Sequence, residues 1–264
     1  MTVPQAIAEG HRLNVALAPA VRLDEVTKVH GTGRHAVPAL DRVSLEVAAG
    51  EFLCVVGASG CGKSTLLSLI AGLDRPTSGE LEVGLGRPAL MFQEPALLPW
   101  LTVRQNVELP LRLDRAGPQE RRQTVDRLLS TVHLLAFAEK RPHELSGGMR
   151  QRVSLARALA QDARLLLMDE PFGALDAITR DILHEDLQEI WSSSELTIVF
   201  VTHNVREAVR LGDRVVLLSS RPGTVADSWV IDIPRPRTLD SPSVAATASQ
   251  ITERLRWEIR RHGN

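Results

Sequence analysis

The sequence predicts an α/β fold built on a mainly parallel sheet, and three observations lead there. A glycine-rich loop, Gly57 to Thr65, stands between the continuous apolar run "FLCVV" and the apolar-rich "STLLSLIAGL". Two more apolar runs, "RLLLM" and "TIVFV", flank the helix-patterned "ALDAITRDILHEDLQEIW". Strands that alternate with helices are joined by crossovers, and crossovers make neighbouring strands parallel.

Each element has its own signal. Between residues 21 and 56 the pattern favours short strands: "ALDRVSLEV" alternates apolar and polar residues, as a half-buried strand does. "AAGE" turns into "FLCVV", which reads as a strand covered on both faces. The helix after the glycine loop ends near Gly72, and "RPTSGE" reads as a turn. "PALMF" is a further strand, ending at Gln93. Residues 101–163 are mostly helical, with Val125, Leu128, Leu129 and Val132 on one face; "RPHELSGG" breaks the pattern and "MRQRVSLARALA" resumes it. After "RVVLLSSRPG" comes the proline-rich "IDIPRPR". An amphipathic helix follows, with Val244, Ala248, Ile251, Leu255 and Ile259 on one face.

Bulk composition narrows the class. The 264 residues are 44% hydrophobic and 24% charged, ordinary for a soluble globular protein, and the net charge of −1 gives no basic field for nucleic acid. Cys54 and Cys61 are the only cysteines; they lack metal-ligand spacing and read as reduced thiols. The first 20 residues read as a loose leader, without the basic and apolar regions of a signal peptide. No apolar run reaches the ~18 residues that a membrane span needs.

Gly57-Ala58-Ser59-Gly60-Cys61-Gly62-Lys63-Ser64 fits the phosphate-loop pattern G-x-x-x-x-G-K-[ST], in the strand–loop–helix context that the pattern requires. The glycines let backbone N–H groups turn inward as an anion nest, and the following helix adds its positive end. Lys63, one of only three lysines, supplies a compact cation for β- and γ-phosphates; Ser64 can ligate Mg²⁺. Cys61 lies in this nest near a helix start, which predicts a lowered thiol pKa, ready alkylation, and protection by ATP.

"LLLMDEP" places Asp169 and Glu170 just past a buried strand, where open parallel sheets bind ligands. Asp169 there suits a Mg²⁺ shell, and Glu170 suits a base that orients or deprotonates an attacking water. His203 ends the next strand and Gln93 an earlier one. The histidine is a structural residue or a γ-phosphate donor; the Gln93 amide is a loop cap or a contact to Mg²⁺ or water. Ser146-Gly147-Gly148, before "MRQRVSLARALA", is either an ordinary capped helix start or a second anion nest. One chain already has a full triphosphate cradle. A second nest therefore suits the nucleotide held by a second copy, in a head-to-tail pair with twofold symmetry.

Together these residues resemble the ATP-binding-cassette (ABC) ATPase family over residues 21–220. Gly57–Thr65 resembles Walker A, Gln93 the Q-loop, Leu145–Gln151 the signature, and Leu165–Asp169 Walker B. Glu170 resembles the catalytic glutamate, Ala174-Leu175-Asp176 the D-loop, and His203 the switch histidine. The resemblance implies a RecA-like parallel core with an N-terminal antiparallel β subdomain and an inserted helical subdomain at about 94–163. The cassette then spans 21–240, with a C-terminal helix over 241–264. It further implies ATP and Mg²⁺ as cofactors and a sandwich homodimer, closed by ATP and opened by hydrolysis. The stroke passes near Gln93 to integral-membrane permease subunits at the cytoplasmic face, which are served indirectly by an extracytoplasmic binding protein.

"FQEPALLPWLTVRQNV", "MDEPFGALDAITR" and "SSRPG" look like the nitrate/sulfonate/taurine importer group, and "IDIPRPR" is similar to aliphatic-sulfonate ATPases. Taurine, nitrate or a thiamine precursor are the alternative cargoes. A soluble cassette acting on nucleic acid or ribosomes is the alternative class; a P-loop GTPase is disfavoured because N-K-x-D is absent. Two positions depart from the family pattern. His30 stands where the family stacks adenine on an aromatic residue, and Met149 stands where many relatives have glutamine.

Overall fold

The structure, a computed structural model, describes residues 18–262. Its strands are β1 (Val21–His30), β2 (Val37–Val47), β3 (Phe52–Gly57), β4 (Ser78–Val83), β5 (Ala89–Met91), β6 (Leu165–Asp169), β7 (Thr197–Val201), β8 (Arg214–Leu218) and β9 (Val225–Val230). Its α-helices are α1 (Lys63–Ile70), α2 (Val103–Leu113), α3 (Pro118–Thr131), α4 (Gly147–Leu159), α5 (Ala177–Ser192), α6 (Val205–Leu211) and α7 (Pro242–His262). One sheet is antiparallel, in the order β2-β1-β4; the other runs β5-β6-β7-β3-β8-β9 and is parallel except for β9.

The central strands read as unbroken apolar runs because both faces are covered. Along β3, Phe52, Cys54 and Val56 join one core while Leu53 and Val55 join the other. Strand β7 alternates likewise, with Ile198 and Phe200 against Val199 and Val201. The first core is closed by α2 to α7; the second is closed by α1 and the apolar face of β1 and β2. Hydrophobic burial on both sides therefore holds the strand ends, and the loops leaving them, in fixed positions.

Several sequence expectations are corrected. β1 and β2 are not short: they run 10 and 11 residues, paired along most of their length, with register shifts that interrupt the alternation. "RPTSGE" is only partly a turn, because Ser78, Gly79 and Glu80 already belong to β4, a mostly exposed edge strand. β9 lies in a stretch that carried no strand signal, again at an edge. The leader expected over residues 1–20 falls mainly outside the described residues; Ala20 is already buried and its N–H donates to the Val47 carbonyl at 2.7 Å.

The proline-rich "IDIPRPR" is tied down by its arginines. Arg235 stacks on Trp191 at 4.5 Å and pairs with Asp213 at 2.6 Å. Buried Arg237 donates to the carbonyls of Val209, Gly212, Ile231 and Ile233, and burial lowers its pKa to about 10. Helix α7 then packs on α6 through Val244, Ala248 and Ile251, with Leu255 half-buried. Ile259 is exposed, contrary to the predicted face. The 4,3,4,3 spacing of a helix stripe brings Glu258 inward instead, where it accepts from Arg254 at 2.6 Å.

Candidate functional site

The loops after β3, β5 and β6 meet the turn end of the β1–β2 hairpin around a cleft of about 460 Å³. Ser59, Gly60, Gly62, Lys63, Ser64 and Thr65 line it, together with His30, Gln93, Asp169 and Glu170. Gly60 and Gly62 have φ of +75° and +103°, a left-handed geometry that side-chain-bearing residues rarely adopt, and this curls the loop. Gly62 is also crowded: a Cβ there would lie 2.7 Å from the Ala39 carbonyl oxygen.

Lys63 is nearly buried and its Nζ donates to the carbonyls of Gly57 at 2.9 Å and Ala58 at 3.0 Å. An ammonium has three donors: these two bonds aim the group, and its third contact is a long, weak one of 4.0 Å to Cys61 Sγ that a phosphate oxygen can replace. Gly57 and Cys61 do not line the cleft. The Cys61 side chain turns back under the loop, only 1% of the residue is exposed, and burial pushes its thiol pKa up despite the nearby Lys63 charge. The expected lowering of this pKa is therefore reversed: desolvation outweighs the nearby cation.

At the end of β6, Asp169 stands beside Ser64 in the cleft wall, and burial raises its pKa. Glu170 has φ of +43°, an uncommon conformation for a non-glycine residue, and its N–H donates to the Val201 carbonyl at 2.9 Å. That turn swings the Glu170 carboxylate toward His203, whose Nδ1 donates to Oε2 at 2.8 Å. His203 does not itself line the cleft; its side chain meets the cleft through Glu170. Gln93 does line it, and its backbone carbonyl accepts from Nε2 of buried Gln151, on α4, at 2.8 Å. His30 borders the cleft at the Thr65 side, with Nε2 3.4 Å from the Thr65 hydroxyl.

Ser146, Gly147 and Gly148 form a separate group. They lie outside the cleft lining, and Ser146 caps α4 by accepting from the Met149 N–H at 3.2 Å. Gly148 also has a packing reason, since a Cβ there would collide with the Thr179 methyl group on α5. Two contributors went unassigned in the sequence reading. Gln151 sits inside the quoted "LSGGMRQ", and Arg221 inside "SSRPG", where it borders the cleft.

The oxygen donors present, Ser64, Asp169 and the Gln93 amide, suit Mg²⁺, which takes few protein ligands and shares its shell with phosphates. A glycine nest, a poised lysine and an acidic strand end on a doubly covered parallel sheet define a class: an ATP-hydrolysing phosphate-loop cassette.

Comparison with known proteins places the chain within that class. A family profile described as ABC transporter matches residues 40–173. A nitrate import ATP-binding protein of Synechocystis sp. is 47% identical over 221 residues, covering 81% of this chain and 83% of the relative. An aliphatic sulfonates import ATP-binding protein of Mesorhizobium japonicum is 48% identical over 221 residues, covering 82% of each. A bacterial ABC transporter cassette solved as a dimer superposes with a TM-score of 0.72 at 35% identity, covering 81% of this chain and 100% of that one. A cassette bound to ADP and Pi in a post-hydrolysis state gives a TM-score of 0.71 at 35% identity, with the same coverage. The chain belongs to the ABC transporter family, as an ATPase cassette.

Proposed function

We propose that this chain is the ATP-hydrolysing, energy-coupling subunit of an importer for aliphatic sulfonates, working as a head-to-tail homodimer. The observation that carries the dimer is the incomplete cleft. The phosphate loop and acids line one side, while the capped nest at Ser146–Gly148 lies outside it and serves the nucleotide of the second copy. In each half-site the Lys63 ammonium meets the β- and γ-phosphates, and the loop N–H groups hold the phosphate oxygens. Ser64, Asp169 and Gln93 would hold Mg²⁺, which when bound would neutralise phosphate charge. Glu170 accepts the proton of the attacking water, and His203 keeps its carboxylate pointed at that water. His30 packs beside the base.

Exposed Phe92 and Trp100 flank the Gln93 loop and supply an apolar docking face for a permease. Among the described residues no helix is long and apolar enough to cross a membrane. In this reading, integral-membrane permease subunits and an extracytoplasmic binding protein complete the importer. The relatives that support this role are named for import of nitrate, aliphatic sulfonates and taurine, at 47%, 48% and 42% identity. Such similar identities fit a subunit that never touches the cargo. Sulfonate is preferred for the "IDIPRPR" tail; taurine, nitrate and a thiamine precursor are the alternatives. Deleting the gene should abolish growth on alkanesulfonates as sole sulfur source and spare growth on sulfate. Loss only on taurine or on nitrate would reassign the cargo, and no loss on any would reopen the narrow assignment.

A further inference from the structure

The loop between β8 and β9 reaches back under the phosphate loop, and nothing in the mechanism above uses it. Its shape is held from within: the Ser219 N–H donates to the Thr224 carbonyl at 2.9 Å, and the Ser219 hydroxyl donates to the Pro222 carbonyl at 3.0 Å. It is also held from outside. The Gly223 N–H donates to the Ala39 carbonyl and its carbonyl accepts from the Asp41 N–H, both at 2.9 Å. Gly223 approaches so closely that any Cβ there would collide with the Cys61 carbonyl oxygen. A loop braced on both sides fixes where its one cation stands.

That cation is Arg221. Its Nε donates to the Gly60 carbonyl at 2.7 Å, and the guanidinium lies against the Gly60 Cα, so that a Cβ there would sit 2.8 Å from Nη2. The side chain is exposed, borders the cleft beside Ser59 and Gly60, and no ion pair or Nη hydrogen bond to it occurs among the described residues. A planar fork with free Nη donors, beside a nest for phosphate oxygens, matches the geometry in which guanidinium binds phosphate. We propose that Arg221 is a second cation of the nucleotide site, binding the polyphosphate of ATP or ADP through its Nη groups while its Nε anchors the phosphate loop.

This inference rests on the phosphate-loop reading, and the test separates the two. ATP and ADP are titrated calorimetrically into the full chain carrying Arg221→Gln, Arg221→Lys or Lys63→Ala, and the nucleotide-free melting point is recorded for each. Arg221→Gln keeps a neutral donor for the Gly60 carbonyl and removes only the charge. It should weaken both nucleotides about tenfold, the size of one partly exposed charge-assisted contact, with the melting point unchanged. Arg221→Lys keeps the charge but loses the fork and the Nε anchor, so its affinity should fall between those of the parent and Arg221→Gln. Parent-like affinity in Arg221→Gln overturns the proposal, and so does an affinity loss accompanied by a lower nucleotide-free melting point, which assigns Arg221 to loop stability alone. If Lys63→Ala abolishes binding while Arg221→Gln is neutral, only the inference on Arg221 fails; if Lys63→Ala binds normally, the phosphate-loop reading fails with it.

Discussion

Replacing Glu207 with alanine should cost the fold far more than a typical substitution on a seven-residue helix. Glu207 is 5% exposed and stands at the centre of a buried polar cluster. Its Oε1 accepts from His184 Nε2 on α5 at 2.6 Å, and its Oε2 accepts from the Thr202 hydroxyl at the end of β7. Arg210 closes the cluster, donating to His184 Nδ1 at 3.4 Å and to Asp181 at 2.7 Å. A guanidinium only donates, so Nδ1 is the acceptor and the imidazole proton sits on Nε2, facing Glu207. Alanine leaves two donors without acceptors at positions 1% and 2% exposed. Each orphaned buried group costs about 1–3 kcal/mol, and removing one member of a buried charge cluster costs about 3–5 kcal/mol, so roughly 4 kcal/mol is expected. At ~2–4 °C per kcal/mol for a domain of comparable size, the melting point should fall by roughly 8–16 °C.

Thermal and urea unfolding of the parent and Glu207→Ala measure the loss, with an unchanged urea slope showing that the unfolded state is the same. Nucleotide affinity should persist in the folded fraction, because neither Glu207 nor its partners line the cleft. Hydrolysis should slow, because Thr202 precedes His203 and the cluster positions both. A loss below about 1 kcal/mol, the range of ordinary surface changes, would refute the reasoning that this carboxylate satisfies two buried donors.

Glu170→Gln should keep ATP affinity and run as a dimer on sizing with ATP and Mg²⁺, with hydrolysis down by at least about a hundredfold, as for loss of a general base; a monomer there would count against Glu170 as the base. Lys63→Ala should lose measurable ATP binding by calorimetry, since its ammonium is aimed into the nest by two carbonyls. Both thiols should resist alkylation at pH 8 with or without ATP. Burial raises both pKa values, so the thiolate forms only above the ordinary thiol range, and labelling should rise with pH later than for a free thiol. Mass spectrometry after brief labelling checks this, and fast Cys61 modification that ATP blocks would restore the reactive-thiol expectation.

What could be read in the sequence was what is local in the chain. The runs "FLCVV", "RLLLM" and "TIVFV" announce central strands because coverage on both faces demands apolar residues at every position. The glycine loop is legible because its backbone geometry is set by adjacent residues, and Ser146 is legible as a helix cap for the same reason. Edge strands β4 and β9 were missed because each pairs on one side only and stays half-wet, so polar residues are tolerated there.

The remaining features were decided by contacts between distant segments. Whether Cys61 is a reactive thiol depends on what covers it. Whether Arg221 is a surface charge or a wall of the nucleotide cleft depends on a loop 161 positions away docking beneath Gly60. Whether Ser146–Gly148 reaches the cleft of its own chain depends on where α4 is held against the sheet. The sequence by itself determined the chemistry available: a phosphate nest, a lysine and an acidic pair at strand ends, because such motifs are made by neighbouring residues. Only the tertiary structure decided which of those groups face one another, because burial and electrostatics at a site are set by the segments that folding brings together.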